Sequence, residues 1–233
     1  VLAITLSLND GSYLVTCLIR YSRTTPSELV QFRGDNFPET GGTEPFGKTW
    51  TRKNEKGLTP KLIFENEISR IINRKNPEDF IKNYKKNYLP ESPPSWMLLE
   101  CLPLGSIAAI FKHLGNMKDK KEIAKSFKEP ATILDSWFES IRYTRNLCAH
   151  HSRLWNQWFV IEPKVSKSMG QIKTKERSFH QQAMILHKLN RALSPKSSWH
   201  NKLRELFENY SEFVPFEQMG FIEDWKKDEF WSL

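Results

Sequence analysis

From residue 59 onward the apolar residues recur mostly at helical spacing, with short polar or proline-containing breaks between the runs. Thr59 can cap a helix and Pro60 suits its first position. Leu62, Ile63, Ile68, Ile71 and Ile72 follow as one stripe, and Asn76-Pro77 stops it. Residues 78–88 predict a short helix with a basic face made by Lys82, Lys85 and Lys86, followed by a stiff break at Pro90, Pro93 and Pro94. The most apolar stretch, 96–114, predicts a core helix capped by Ser95, kinked or split at Pro103 and ended by Gly115. A short amphipathic helix is expected over 119–127 and a long one over 132–151. Residues 155–167, with Phe159, Val160 and Ile161, read as extended. Two more helices are expected over 179–193 and 200–210. The aromatic, Pro- and Gly-punctuated tail from Phe213 is expected to pack back onto the helices.

The first 48 residues break this pattern. Val1 to Leu8 is apolar without the basic start of a signal peptide, and it reads as the tail of a helix that begins upstream. A turn is expected at Asn9-Asp10-Gly11. Tyr13 to Tyr21 fits strand or helix equally, and Thr24 to Lys48 has the Gly and Pro content of a loop.

The long helix over 132–151 carries the candidate chemistry. Thr132 and Asp135 resemble a capping box, with Asp where Glu or Gln is usual. With Ile141 taken as the origin and roughly 100° per residue, Leu134, Trp137, Thr144 and Cys148 fall on one buried stripe, widened by Ile133 and Leu147. Asp135, Glu139, Arg142, Arg145, Asn146 and His150 share an arc from roughly 40° to 180° around the axis, and Ala149 leaves room within it. Asn146 and His150 are neighbours at i,i+4. Arg145 and His150 lie about 140° apart and do not touch, but both can reach one phosphodiester laid across the arc; a second copy of the chain could also complete the site.

Such a set suits RNA cleavage without a metal. A ribose 2′-OH attacking its own phosphate must lose a proton, and the leaving oxygen must gain one. Imidazole does this near neutrality. Arg offers forked donors to the charge that builds on phosphorus-bound oxygen, and Asn146 can orient the ring or donate to the phosphate. The plainer reading stands beside this: polar helix faces rich in Arg and Glu are usually just solvated. His151 falls near the apolar stripe, as a packed histidine or a further RNA contact. Arg153, past the helix end, can hold phosphate or cap the helix C-terminus.

Charge points the same way. The 233-residue chain carries a formal +8, which favours an anionic partner. Besides Lys82, Lys85 and Lys86, with Tyr84 and Tyr88 for stacking, a second basic cluster follows at Lys164, Lys167, Lys173, Lys175 and Arg177. Each of these is also readable as a solvated face. At 39% hydrophobic and 12% aromatic residues, the chain can build a core. Cys17, Cys101 and Cys148 form no CxxC or Cys/His array. No zinc site or other cofactor is expected, and a reducing, cytoplasmic setting is. No apolar run approaches the roughly 20 residues of a membrane span.

The run Tyr143-Thr-Arg-Asn-Leu-Cys-Ala-His-His-Ser-Arg-Leu-Trp-Asn156 resembles the signature of the Abi-like family, the abortive-infection proteins of the AbiD and AbiF type. Within it sits the R-x4-H pattern of the HEPN superfamily, Arg145 through His150. Pro93-Pro-Ser-Trp-Met-Leu-Leu-Glu100, Leu104-Gly105, Lys120-Lys121-Glu-Ile-Ala124 and Met219-Gly-Phe-Ile-Glu-Asp-Trp225 resemble further family blocks in the same order. The resemblance covers about residues 50–233, and residues 1–49 match poorly. It implies an all-α, HEPN-type helical bundle over 50–233 with irregular N- and C-terminal extensions, residues 1–49 being the remnant of a longer helical part. It also implies a homodimer with two motifs meeting at its interface, a role in phage defence, and the metal-independent endoribonuclease activity of many HEPN relatives. Arg145 and His150 would be the catalytic pair and Asn146 their assistant. The partner would be RNA, in some members a small noncoding RNA in a stable ribonucleoprotein. Some HEPN proteins bind RNA without cutting it, so two functions are carried forward, a defence endoribonuclease and an RNA-holding module, with a purely structural or toxin-subunit role as a third.

Overall fold

Thr59 opens the first described helix as the sequence predicts. Its hydroxyl accepts from the Leu62 amide at 3.1 Å, Pro60 sits where a missing N–H costs nothing, and helix α1 runs Pro60–Ile72. The structure is a computed structural model and describes residues 53–88, 93, 95–114, 117–170, 172–195, 197–213, 215–222 and 225–232. The expectations for residues 1–48, and those for Pro90, Pro94 and Gly115, lie outside the described residues. Those described are helical with irregular connections, and no extended strand occurs among them: the fold is all-α. They divide into two units, 53–123 and 124–232.

In the first unit α1 is followed by α2 (Asp79–Asn87), α3 (Ser95–Glu100) and α4 (Leu104–His113). Pro103 splits the predicted 96–114 helix in two: at φ −65° and ψ 150° it is the extended residue from which α4 starts. Ser95 is the first residue of α3 and not its cap. Phe64, Ile71, Leu98, Leu102, Ile107 and Ile110 form the core, with Ile68, Ile72, Cys101 and Leu114 packed around them. Leu62 and Ile63 do not belong to that core, being 41% and 45% exposed. Phe64, one position on, is the residue that the first turns of α1 face inward, while Ile68, Ile71 and Ile72 of the predicted stripe lie in or against the core. Burial, with Glu78 as the next influence, pushes the Cys101 thiol up to about 12.

The division between units falls inside α5 (Met117–Ser126), and the second unit continues with α6 (Ala131–Ala149), α7 (Phe179–Leu193), α8 (Trp199–Asn209) and the short α9 (Glu229–Ser232). Helix α7 is its centre: every residue from Phe179 to His187 is buried. Helix α6 lies against α7; of the predicted stripe Leu134, Trp137, Ile141 and Thr144 are buried, and Ile133, Leu147 and Cys148 are half-buried. The predicted capping box is absent, because α6 begins one residue early, at Ala131 after an extended Pro130, and no side chain caps it.

Residues 155–167 form no strand. They cross α6 irregularly, and α6 side chains satisfy their backbone: Trp137 Nε1 donates to the Lys164 carbonyl at 2.9 Å, and Ser136 Oγ accepts from the Lys164 amide at 2.9 Å. The aromatic tail packs back as expected. Phe221, Trp225 and Trp231 are buried in a continuous series of ring contacts with Phe207 of α8 and with His180 and His187 of α7. Gly220 makes the bend between them at φ +87°, where a Cβ would overlap the Ser178 side chain.

Candidate functional site

The last turn of α6 and the residues just after it bring Arg145, Asn146, His150, His151 and Arg153 to the surface. Arg145, His150, His151 and Arg153 are exposed and Asn146 is half-buried. What turns this side outward is a buried polar lock on the opposite side. Ser140 Oγ and Thr144 Oγ1 both donate to Gln182 Oε1 of α7, at 2.7 and 3.1 Å, and both hydroxyl-bearing residues are fully buried. With Leu134, Trp137 and Ile141 facing inward beside them, the arc of Arg142, Arg145 and Asn146 has only the outward direction left.

Arg145 Nη1 donates to Asn146 Oδ1 at 3.4 Å, a long and exposed bond that leaves most of the guanidinium's donors available. Arg142 is committed elsewhere: Nε donates to Glu139 Oε2 at 3.1 Å and Nη2 to Glu139 Oε1. This fork holds the Arg142 guanidinium above its ordinary pKa. Cys148 is half-buried. Burial pushes its thiol up while the neighbouring Arg145 charge opposes that rise.

The helix ends in a Schellman-type turn. His150 is the C-cap, at φ −92° and ψ 15°, with its amide donating to the Asn146 carbonyl. His151 donates to the Cys148 carbonyl at 3.0 Å and Ser152 to the Leu147 carbonyl at 2.8 Å. His151 takes the left-handed position with φ +53°, which glycine usually fills. The reading of His151 as a packed histidine is therefore corrected: the turn throws it off the apolar stripe into solvent, since the helical angle used to place it no longer applies past residue 149. Arg153 does not cap the helix: backbone amides meet the Asn146, Leu147 and Cys148 carbonyls, and its guanidinium lies over the Trp155 ring at 5.7 Å.

The second basic cluster is uneven. Lys164, Lys167, Lys173 and Lys175 are exposed. Arg177 is engaged: Nη1 donates to the Val160 carbonyl at 2.7 Å and the Phe159 carbonyl at 3.3 Å, Nε lies 3.6 Å from Glu162, and the guanidinium rests over the Trp158 ring at 5.5 Å. In the first unit, Lys82 pairs with Asp79 at 3.0 Å, Lys85 donates to the Ile72 carbonyl, and Lys86 is exposed. Tyr84 and Tyr88 stack at 5.1 Å with Tyr84 buried and Tyr88 open. Among the described residues no group of three or more His, Cys, Asp or Glu side chains is arranged to hold a metal ion, and no helix is long and apolar enough to cross a membrane.

Two exposed tryptophans, Trp155 and Trp158, were not singled out from sequence. The extended reading of this segment rested on Phe159, Val160 and Ile161 and took no account of the two Trp. The signal was present as two Trp within a run otherwise bounded by Arg153 and Lys164.

Residues 41–156 match the family described as Abi-like protein, and the chain belongs to this family. The match ends just past the exposed turn of α6, so it takes in Arg145, Asn146, His150, His151 and Arg153. No curated protein and no solved structure matches the chain. Membership implies a role in abortive-infection defence.

Proposed function

We propose that this protein carries out its defence role by binding RNA at the end of α6 and cutting it by attack of a ribose 2′-OH on the adjacent phosphate. The observation that supports this reading best is the joint exposure of Arg145 and His150, with Asn146 hydrogen-bonded to the arginine between them. A helix C-terminus carries partial negative charge and repels phosphate. Four groups that are cationic or can become so, Arg145, His150, His151 and Arg153, surround this one and offset that repulsion. Backbone carbonyls accept hydrogen bonds and cannot donate to a phosphate, so side chains would meet the substrate there.

In the proposed step His150 takes the proton from the 2′-OH as the 2′-oxygen bonds to phosphorus. The bond from phosphorus to the 5′-oxygen breaks, and that oxygen receives a proton, leaving a 2′,3′-cyclic phosphate and a 5′-hydroxyl. Arg145 stabilises the charge on the non-bridging oxygens. Because Arg145 and His150 are on different sides of the arc, a second copy of the chain could supply the partner group across a two-fold contact. The non-catalytic alternative, an RNA-holding protein, draws on the same exposed cations. The test is incubation of wild type, Arg145→Ala and His150→Ala with labelled RNA in EDTA. Cyclic-phosphate product from wild type alone supports the enzyme, and tight binding without product supports the holding module. Product from His150→Ala equal to that from wild type rejects the catalytic assignment.

A further inference from the structure

We infer that Trp158, braced by Arg177, and Trp155, braced by Arg153, form a stacking platform for unpaired bases, so that the RNA taken at this site is single-stranded where it crosses residues 153–158. This rests on the RNA-binding reading above and gives it a substrate class. Trp158 is 61% exposed and Trp155 37% exposed, in a unit that buries Trp137, Trp225 and Trp231 completely. Leaving such a ring in water forgoes the burial that Trp137, Trp225 and Trp231 obtain.

The rings are nonetheless held in place. The Arg177 guanidinium sits over Trp158 while its nitrogens are tied to the Phe159 and Val160 carbonyls and to Glu162. The Arg177 backbone is in the left-handed region at φ +49°, and is fixed there by its amide donating to Gln181 Oε1 at 2.8 Å and its carbonyl accepting from the Phe159 amide at 3.0 Å. Trp155 is pinned at its edge, Nε1 donating to Gln218 Oε1 at 2.6 Å, and lies under Arg153. A fixed aromatic ring paired with a cation suits a nucleobase attached to a phosphate. The base stacks, the exposed Arg153 meets the backbone, and no ordering of the ring is needed on binding. A duplex keeps its bases inside and offers such rings nothing to stack on. Trp155 comes a few residues after His150 in the chain, with the exposed Arg153 between them.

The probes are a fluorescein-labelled 12-nucleotide single-stranded RNA and the blunt duplex of the same length, titrated by anisotropy against the full chain. Wild type should bind the single strand more tightly. Trp158→Ala should lose roughly tenfold or more on the single strand and little on the duplex, Trp158→Phe should retain most of the affinity, and Trp155→Ala should add to the loss. Because both rings are exposed, circular dichroism of the variants should match wild type. Equal binding of the single strand by wild type, Trp155→Ala and Trp158→Ala would overturn the platform while leaving RNA binding intact. Failure of wild type to bind either probe would overturn both readings. Light scattering that shows a dimer for wild type and a monomer for Trp158→Ala would instead assign the rings to a contact between copies and reject the platform.

Discussion

Ser140 Oγ lies 2.7 Å from Gln182 Oε1, with both residues fully buried between α6 and α7. Thr144 donates to the same oxygen, and Gln182 Nε2 donates to the Ile161 carbonyl at 3.4 Å. One glutamine thus fixes the rotation of the motif helix and the path of the segment that crosses it. Gln182→Leu removes the shared acceptor and leaves Ser140 Oγ the longer bond to the Ile161 carbonyl at 3.3 Å and Thr144 Oγ1 the Ser140 carbonyl at 3.0 Å. A loss of about 1–3 kcal/mol is expected, read from the urea midpoint. An unchanged midpoint would show that the lock is dispensable.

At Arg145 the prediction concerns both salt and rate. Its guanidinium spends one long hydrogen bond on Asn146 and is otherwise open. Arg145→Ala should reduce the slope of log affinity for RNA against log salt by about one. It should also cut any cleavage rate by about a hundredfold or more. A salt slope equal to that of wild type would exclude a phosphate contact.

His151 should separate stability from function. Its φ of +53° costs a non-glycine residue about 1–2 kcal/mol, partly offset by the greater unfolded freedom of glycine. His151→Gly should therefore stabilise the protein by up to about 1 kcal/mol, visible as a melting temperature a few degrees higher. If His151 also contacts RNA, the same variant binds more weakly. A lowered melting temperature would contradict the strained-turn account.

Stability should fall in mild acid. His180 and His187 are both driven down to about 4, by burial first; for His187 the neighbouring His200 and Arg191 charges add to this. The unfolded chain then binds protons near 6.5 that the folded chain refuses until about 4. Above pH 6.5 neither group alters stability. Between 6.5 and 4 stability falls with pH, by at most about 3 kcal/mol for each group, and below 4 the loss is complete. His187→Gln, which can keep the donor that faces the Phe230 carbonyl at 3.1 Å, should flatten melting temperature against pH over this window. An unaltered profile for His187→Gln and for His180→Phe would refute the assignment.

Gly220 tests the fit of the tail. A Cβ there would overlap Ser178, just before α7, and φ +87° is unfavourable for any side chain. Gly220→Ala should cost at least about 2 kcal/mol, measured by denaturant unfolding, and Gly57→Ala, with open space around it, should cost less.

Much of this was legible from periodicity because the signals were local. Thr59 and Pro60 set the start of α1, Pro103 divided α3 from α4, and the Leu134, Trp137, Ile141 and Thr144 stripe predicted the buried side of α6. The misses arose where a non-local partner decides. His151 was placed by continuing a helix that the Schellman turn had already ended. Residues 155–167, with Phe159, Val160 and Ile161, read as extended, but no neighbouring strand exists among the described residues to pair with them, and α6 side chains took their hydrogen bonds instead. The role of Gln182 could not be read from sequence, because a buried amide in a helix declares its partners only once the facing helix is known.

Trp231 closes the core of the second unit, stacked on His180 and edge-to-face with Trp225, with no exposed surface. During synthesis that ring is added well after the helix bearing Arg145. The helix bearing Arg145 can thus be made in full while its supporting core still lacks a wall, and a nascent chain would carry the motif before it could hold it in working order.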